Sequence, residues 1–325
     1  MAAETRPYDP RFQWRFLAPR FWLTWFGLGL LAILSLLPWW TRAALARWLG
    51  RLAASHDGYR QRVARVNLAM AFPDKTEAER ETMLYGLYRT MVQSLLDYGV
   101  LWWGSRRRLR RLVRAQGMES LVRAHAEGRK VILLTGHNVA LDYGAVAMTL
   151  DVPGVGLIKR ARNPLLDWMM GRGRLRFQSI LYERDSGLRP VIRAIREGSV
   201  FYYLPDEDLA HVKGSEWVFT PFFGVQTATI TALSRLAKIT DAVIMPAMTY
   251  YVGRGQYQFR IGPALKDYPS GDLERDARVQ SEVIEAMIRE YPEQYMWTLT
   301  VFSTRPDGGD SPYHGLKERA STRRQ

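Results

Sequence analysis

Hydrophobic and polar positions along the chain fall into three regimes. Residues 21–41, FWLTWFGLGLLAILSLLPWWT, carry no charge, and about 20 apolar residues suffice for a helix to cross a bilayer. Trp22, Trp25, Trp39 and Trp40 lie near the ends of this run, where aromatic rings favour the membrane interface. The pattern predicts an anchor helix over 21–41, either spanning the membrane or lying in its interface. The run is too long for the apolar core of a cleaved leader, and it ends in Pro-Trp-Trp. Residues 42–125 read as helices: AALARWLGRLA is amphipathic, and ERETMLYGLYRTMVQSLLDYGVLWW repeats its apolar residues at helical spacing. From about residue 126 the period changes. VILLT, VGLIK, SILY, VFYYLP, AVIMPAMTYY and YQFRIG read as strands. Helices are predicted between them in Val139–Leu150, NPLLDWMMG, LRPVIRAIREG and TATITALSRLAK, with a last one in DARVQSEVIEAMIREY.

That alternation predicts an α/β fold with a mostly parallel central sheet flanked by helices and a final hairpin, behind an N-terminal membrane-anchoring helix. The expected organisation is a basic segment at 1–20, the anchor at 21–41, a helical region packed on the core at 42–125, the α/β core at 126–304 and a fraying tail at 305–325, rich in Gly, Pro, Ser and charge.

Composition narrows the chemistry. With no cysteine in 325 residues, disulfides, thiolate zinc sites and a cysteine nucleophile are all excluded. The net charge of +14, mostly arginine, calls for an anionic partner. The basic residues are spread along the chain and no recognition motif accompanies them, so a nucleic-acid partner is not expected. The run SRRRLRRLVR at 105–114 suits an anionic surface and equally a solvated helix face. Arginines flank both ends of the apolar run, so charge places the body on the cytoplasmic side only weakly. No P-loop or dinucleotide fingerprint is present, and no nucleotide cofactor is expected. No His/Asp/Glu cluster has metal-ligand spacing, and His56, His125, His211 and His314 read as surface or structural.

Ligands of open α/β sheets bind at the carboxyl ends of the strands. His137 follows VILLT, Arg160 and Arg162 follow VGLIK, and Asp206, Glu207 and Asp208 follow VFYYLP. In TGHNVALDYG, His137 precedes Asp142 by five positions, about 140° apart around a helix axis. The two meet only if His137 sits in the turn before the helix and Asp142 faces back from its first turns. An imidazole oriented in that way offers its other nitrogen as a base. From spacing alone, a histidine that caps the helix or bonds within the core is the commoner outcome. There is no Gly-x-Ser-x-Gly elbow, so a covalent acyl-enzyme lacks a nucleophile. Direct attack by a hydroxyl on an activated acyl group remains, with His137 as general base.

The chain resembles the bacterial lipid A late acyltransferases, the lauroyl and myristoyl transferases within the lysophospholipid acyltransferase superfamily. The resemblance is carried by LAPRFWLTWFGLGLLAILSLLPWW (17–40), HNVALD, NPLLDWMMGRGRLR (163–176), LPDED (204–208), FTPFFG (219–224), TAT (227–229) and PEQYMW (292–297), in order over nearly the whole chain. It implies transfer of a fatty acyl chain from acyl carrier protein to a hydroxyl of a lipid A precursor, at the cytoplasmic face of the bacterial inner membrane, with no cofactor. Carried over residue by residue, His137 is the base and Asp142 its orienting partner. Arg174 and Asp206 match functional residues of the family; their chemistry suits Arg174 to a phosphate or carboxylate of the acceptor and Asp206 to a sugar or to positioning Arg174, and Arg160 and Asp208 are weaker candidates for substrate binding. Acyl carrier protein, the lipid A precursor and anionic membrane lipids are the implied partners. The chain departs from the family pattern at Thr298-Leu299-Thr300, where a basic run is usual, and at Leu209-Ala210 after LPDED. These changes put the acceptor phosphate contacts in question. Two alternatives share the same features: an acyltransferase acting on a glycerophospholipid or aminolipid, and a non-catalytic membrane lipid-binding protein.

Overall fold

The computed structural model describes residues 6–317. Five helices come first: α1 (Trp22–Leu34), α2 (Trp39–Ser55), α3 (Tyr59–Ala71), α4 (Glu77–Trp103) and α5 (Arg106–Leu112). The core then runs β1 (Val113–Gln116), α6 (Met118–Ala126), β2 (Lys130–Leu134), α7 (Leu141–Met148), β3 (Gly154–Ile158), α8 (Pro164–Arg174), β4 (Ser179–Glu183), α9 (Arg189–Arg196), β5 (Val200–Tyr203), β6 (Trp217–Phe222), β7 (Val225–Ile230), α10 (Ala232–Thr240), β8 (Ala242–Gly253), β9 (Gln256–Ile261) and α11 (Leu273–Glu290).

Seven strands form one sheet in the order β1-β9-β8-β2-β5-β3-β4. Every neighbouring pair is parallel except the hairpin β8–β9, as the alternation predicts. Side chains alternate across a strand, and here both faces are buried. Ile132 and Leu134 of β2 join Phe201 and Tyr203 of β5 in a core with α3, α9, α10 and α11. Val131, Leu133, Val200 and Tyr202 point the other way, into a core with α1, α6, α7 and α8. Helix α4, capped by a reciprocal Thr76–Glu79 box, contributes to both cores through Leu84 and Leu87 and through Val100 and Leu101.

Three local expectations are corrected. TATI, expected as the start of a helix, is strand β7, paired antiparallel with β6 through the turn at Phe223 and Gly224. Its β-branched residues suit a strand, Thr227, Ala228, Thr229 and Ile230 are all buried, and the helix starts only at Ala232. The stretch 42–125 is not all helix, because β1 adds an edge strand alongside β9.

The third correction concerns the anchor. No single helix covers 21–41. Helix α1 has 13 residues, about 20 Å at 1.5 Å per residue, against an apolar bilayer thickness of about 30 Å. Among the described residues, no helix is long and apolar enough to cross a membrane. The break has a physical basis. Pro38 lacks an N–H and enters α2 as its N-cap with extended backbone. The carbonyls exposed at the end of α1 are taken by arginines: Arg42 donates to those of Ser35 and Leu37, and Arg108 donates to that of Ser35. Arg42 is itself buried in an ion pair with Asp97 at 2.6 Å. Helix α1 seats Leu28 and Leu31 in the core and leaves a stripe of Leu23, Phe26, Leu30 and Ile33 exposed. Trp40 and Trp48 extend that apolar surface along α2.

Of the tail from Arg305, the part beyond residue 317 lies outside the described residues. Before that, Tyr313 is buried, accepts from the Phe302 N–H and donates to Asn67 Oδ1.

Candidate active site

Strands β2 and β5 are parallel neighbours, so their carboxyl ends open side by side. The segment after β2 carries His137, and the segment after β5 carries Asp206. Their side chains meet: His137 Nδ1 lies 2.7 Å from Asp206 Oδ1, and the His137 backbone N–H donates to Asp206 Oδ2 at 2.7 Å. The Tyr295 hydroxyl donates to the same Oδ2 at 2.8 Å. Asp206 thus accepts three hydrogen bonds with its side chain only 2% exposed. A third wall comes from PEQYMW. The Val139 N–H donates to the Gln294 carbonyl, and the Met296 N–H donates to the His137 carbonyl. The histidine turn is therefore held by the backbone on one side and by a carboxylate on the other.

The remaining imidazole nitrogen, Nε2, lies 3.3 Å from Glu207 Oε1, and Glu207 is paired in turn with Arg184 at 2.9 Å. Burial by itself would push the His137 imidazole down from its ordinary 6.5. The charge and hydrogen bond of Asp206, with Glu207 adding to them, override burial and leave it raised. For Asp206, burial pushes up, but His137 and the bonds from its backbone N–H and from Tyr295 hold the carboxyl below its ordinary range. Burial, with the Asp206 charge adding, raises Tyr295 far above 10.0, so its hydroxyl stays a donor.

Asp142 does not orient His137. It faces away from the turn, toward α4 and α8. Arg174 donates to it through both Nε (3.0 Å) and Nη2 (2.9 Å), and the Tyr98 hydroxyl donates at 2.8 Å. The reason is the angular one: an aspartate in the first turn of α7 points at the helices packed beside it, while the histidine before α7 points at the β5 loop. Gly173 makes this approach fit, since a Cβ there would come within 2.1 Å of the Trp102 ring. Burial lowers and the Asp142 carboxylate raises the Arg174 guanidinium, with a net rise above its ordinary value. Among the described residues, Arg174 Nη1 makes no hydrogen bond.

Two of the six sequence candidates stand apart. Arg160 pairs with Asp167 at 3.1 Å and lies over the Tyr8 ring, at the N-terminal end of α8. Asp208 is buried and accepts from Thr304, through N–H at 2.6 Å and hydroxyl at 3.0 Å, so it fastens the segment that follows PEQYMW. Arg184, Tyr295 and Tyr98 escaped the sequence reading, which noted Glu207 at the end of VFYYLP but gave it no role. Glu207 and Tyr295 sit inside motifs already singled out, beside the residues chosen. Tyr98 and Arg184 carry no local signal.

A histidine with one nitrogen fixed by a buried carboxylate and the other facing an exchangeable side chain is suited to moving a proton. Comparison with known proteins gives the setting. Residues 9–304 match the family of bacterial lipid A biosynthesis acyltransferases. A lipid A biosynthesis acyltransferase of Haemophilus influenzae is 34% identical over 93% of this chain and 94% of its own length. The lipid A biosynthesis lauroyltransferase of Escherichia coli is 34% identical over 94% of this chain and 99% of its own, and the E. coli myristoyltransferase is 31% identical over 94% of each. The chain belongs to the bacterial lipid A biosynthesis acyltransferase family.

Proposed function

We propose that this protein is an O-acyltransferase that moves a fatty acyl chain from acyl carrier protein to a hydroxyl of a lipid A precursor, with His137 as general base. Family membership supports acyl transfer to lipid A. The observation that carries the mechanism is the His137–Asp206 contact at 2.7 Å. Asp206 keeps the ring proton on Nδ1, so Nε2 is the nitrogen that accepts. The acceptor hydroxyl takes the place of Glu207 at Nε2. Its oxygen attacks the thioester carbonyl as Nε2 takes its proton. The tetrahedral adduct then collapses with loss of the carrier thiolate, which recovers the proton from the imidazolium. Asp206 stabilises the imidazolium throughout without taking the proton. Asp142 and Tyr98 hold Arg174 in place, and its open Nη1 is suited to an anionic group of the acceptor.

The exposed stripe of α1 and the tryptophans of α2 suit shallow insertion into a bilayer. The surrounding arginines suit its anionic lipids, at about 1 kcal/mol each. Acyl carrier protein as donor and the cytoplasmic face of the inner membrane as location complete the proposal.

The test uses purified full-length protein with acyl carrier protein thioester and lipid A precursor, with products weighed by mass spectrometry. Wild type adds one acyl chain, and His137→Ala loses about 10²–10⁴-fold in rate while still folding. Acylation of glycerophospholipid alone, or near wild-type transfer by His137→Ala, would sink the proposal.

A further inference from the structure

A cavity of about 370 Å³ lies between α2, α4 and the turn of the β8–β9 hairpin. No residue of the His137, Asp206 and Arg174 constellation lines it. The Pro292–Gln294 turn separates the two: Gln294 lines the cavity, while the next residue, Tyr295, bonds Asp206.

The lining is unusual in its charge. Arg47 of α2, Arg89 of α4 and Arg254 of the hairpin turn converge on it, against the one carboxylate among the lining residues, Glu293. Among the described residues, none of the three arginines has an ion-pair or side-chain hydrogen-bond partner. Arg47 and Arg254 are exposed, but Arg89 is partly buried, and most other partly buried arginines of this protein do have a partner. Thr90 also lines the cavity. It is 1% exposed and its hydroxyl has no hydrogen-bond partner. A buried hydroxyl without a partner costs about 1–3 kcal/mol, so an unpaired donor here points to a missing acceptor.

The hairpin turn is shaped to bring its arginine in. Gly255, at φ +66, packs so closely that a Cβ would lie 2.6 Å from Trp39 Cβ. Arg254 before it is also left-handed, at φ 52. Such a turn is usually Asn-Gly, and an arginine at its first position is conformationally disfavoured. Three unpaired guanidiniums and an unpaired hydroxyl match the oxygens of a phosphate, which arginine binds through two parallel N–H bonds. Trp39 lines the cavity and is part of the exposed aromatic surface of α2, so the mouth opens beside the apolar face rather than far from it.

We propose that this cavity is a phosphate-binding site, separate from the acyl-transfer site, which takes a phosphate presented on a lipid headgroup or free in solution. The proposal does not depend on which acyl acceptor the His137 site uses.

The test is calorimetry on the full chain in a non-ionic detergent, with inorganic phosphate and with dihexanoyl phosphatidic acid as probes. Three forms are compared: wild type, the double variant Arg89→Gln with Arg254→Gln, and a charge-matched control, Arg106→Gln with Arg107→Gln, on α5. Saturable binding should weaken about tenfold to a hundredfold in the cavity double variant and stay unchanged in the control. Tighter binding of phosphatidic acid than of phosphate identifies the headgroup as the source; equal affinity identifies the free ion. Thr90→Val, nearly isosteric, keeps the fold and removes only the hydroxyl; it should weaken binding about two- to tenfold. Absence of saturable binding of both probes by wild type overturns the site. So does equal weakening in the cavity and control variants, or unchanged affinity in Thr90→Val together with the cavity double variant.

Discussion

Replacing Asp142 with Asn separates two roles that the His-x4-Asp spacing confuses. If Asp142 oriented His137, Asp142→Asn would slow the reaction and leave the fold intact. In the structure its carboxylate, 7% exposed, accepts from Arg174 twice and from Tyr98 once. The amide of Asn has one acceptor oxygen, and its NH2 would face a guanidinium N–H or the Tyr98 hydroxyl, donor against donor. Breaking a buried ion pair by removing one partner costs about 3–5 kcal/mol. The Arg174 side chain is 24% exposed and regains some hydration, so about 3 kcal/mol is expected. Unfolding entropy of about 2.1 cal/mol/K per residue converts this, for 325 residues, to a fall in Tm of about 4 °C.

The assay is thermal unfolding in detergent beside a pH–rate profile, for Asp142→Asn and Tyr98→Phe. Both should lower Tm, Tyr98→Phe by less, since it leaves the ion pair standing. Turnover should fall with the displacement of Arg174, and the acid limb assigned to His137 should stay where it is. An unchanged Tm with a displaced acid limb would refute the reasoning and return Asp142 to the imidazole.

Glu207→Gln removes one of the carboxylates that raise His137. The free base then persists to lower pH, so the acid limb of kcat/KM should move down; an unmoved limb would detach Glu207 from the proton-transfer step. Tyr295→Phe takes one donor from Asp206 and should cut kcat by roughly tenfold, the worth of a hydrogen bond to a charged group of about 1.5 kcal/mol, with KM little changed. Asp208→Ala frees the Thr304 N–H and hydroxyl and should lower Tm without moving the pH profile; a specific loss of acceptor affinity would instead restore Asp208 to the substrate. Exchanging Leu23, Phe26 and Ile33 for serine on the exposed face of α1 should abolish the salt-resistant part of binding to lipid vesicles, read by co-flotation at high ionic strength.

What was legible in the sequence follows the range of the forces involved. The sheet was readable because VILLT and VFYY declare buried parallel strands by composition alone. The positions of His137 and Asp206 were readable because both follow such strands. Their pairing was not, because the partners lie 69 residues apart and a nearer aspartate offered itself. Local spacing counts only neighbours on one helix, whereas Asp142 finds Tyr98 and Arg174 from 44 and 32 residues away. The single helix expected over 21–41 failed for a similar reason. Hydropathy averages over 21–41, so Pro38 was read as the end of the run and not as a break within it, and the average is blind to Arg42 and Arg108, which arrive from α2 and α5 to take the α1 carbonyls.

The two misreadings meet in one architectural consequence. Because α1 stops at Leu34 and the chain turns at Pro38, the apolar run lies against the body instead of leading away from it. Its inner residues Leu28 and Leu31 share a core with Tyr143 and Val146 of α7, and with Leu165 and Trp168 of α8, the two helices that carry Asp142 and Arg174. The apolar segment is thus packed into the framework of the candidate site. Removing it should cost more than membrane attachment. A chain beginning near Thr41 loses the cover over Trp168, which Phe16 and Trp25 now supply by ring contacts. It should therefore lose thermal stability even in detergent, where no bilayer is needed. Equal Tm for the full-length and shortened chains in detergent would show that the segment serves the membrane alone.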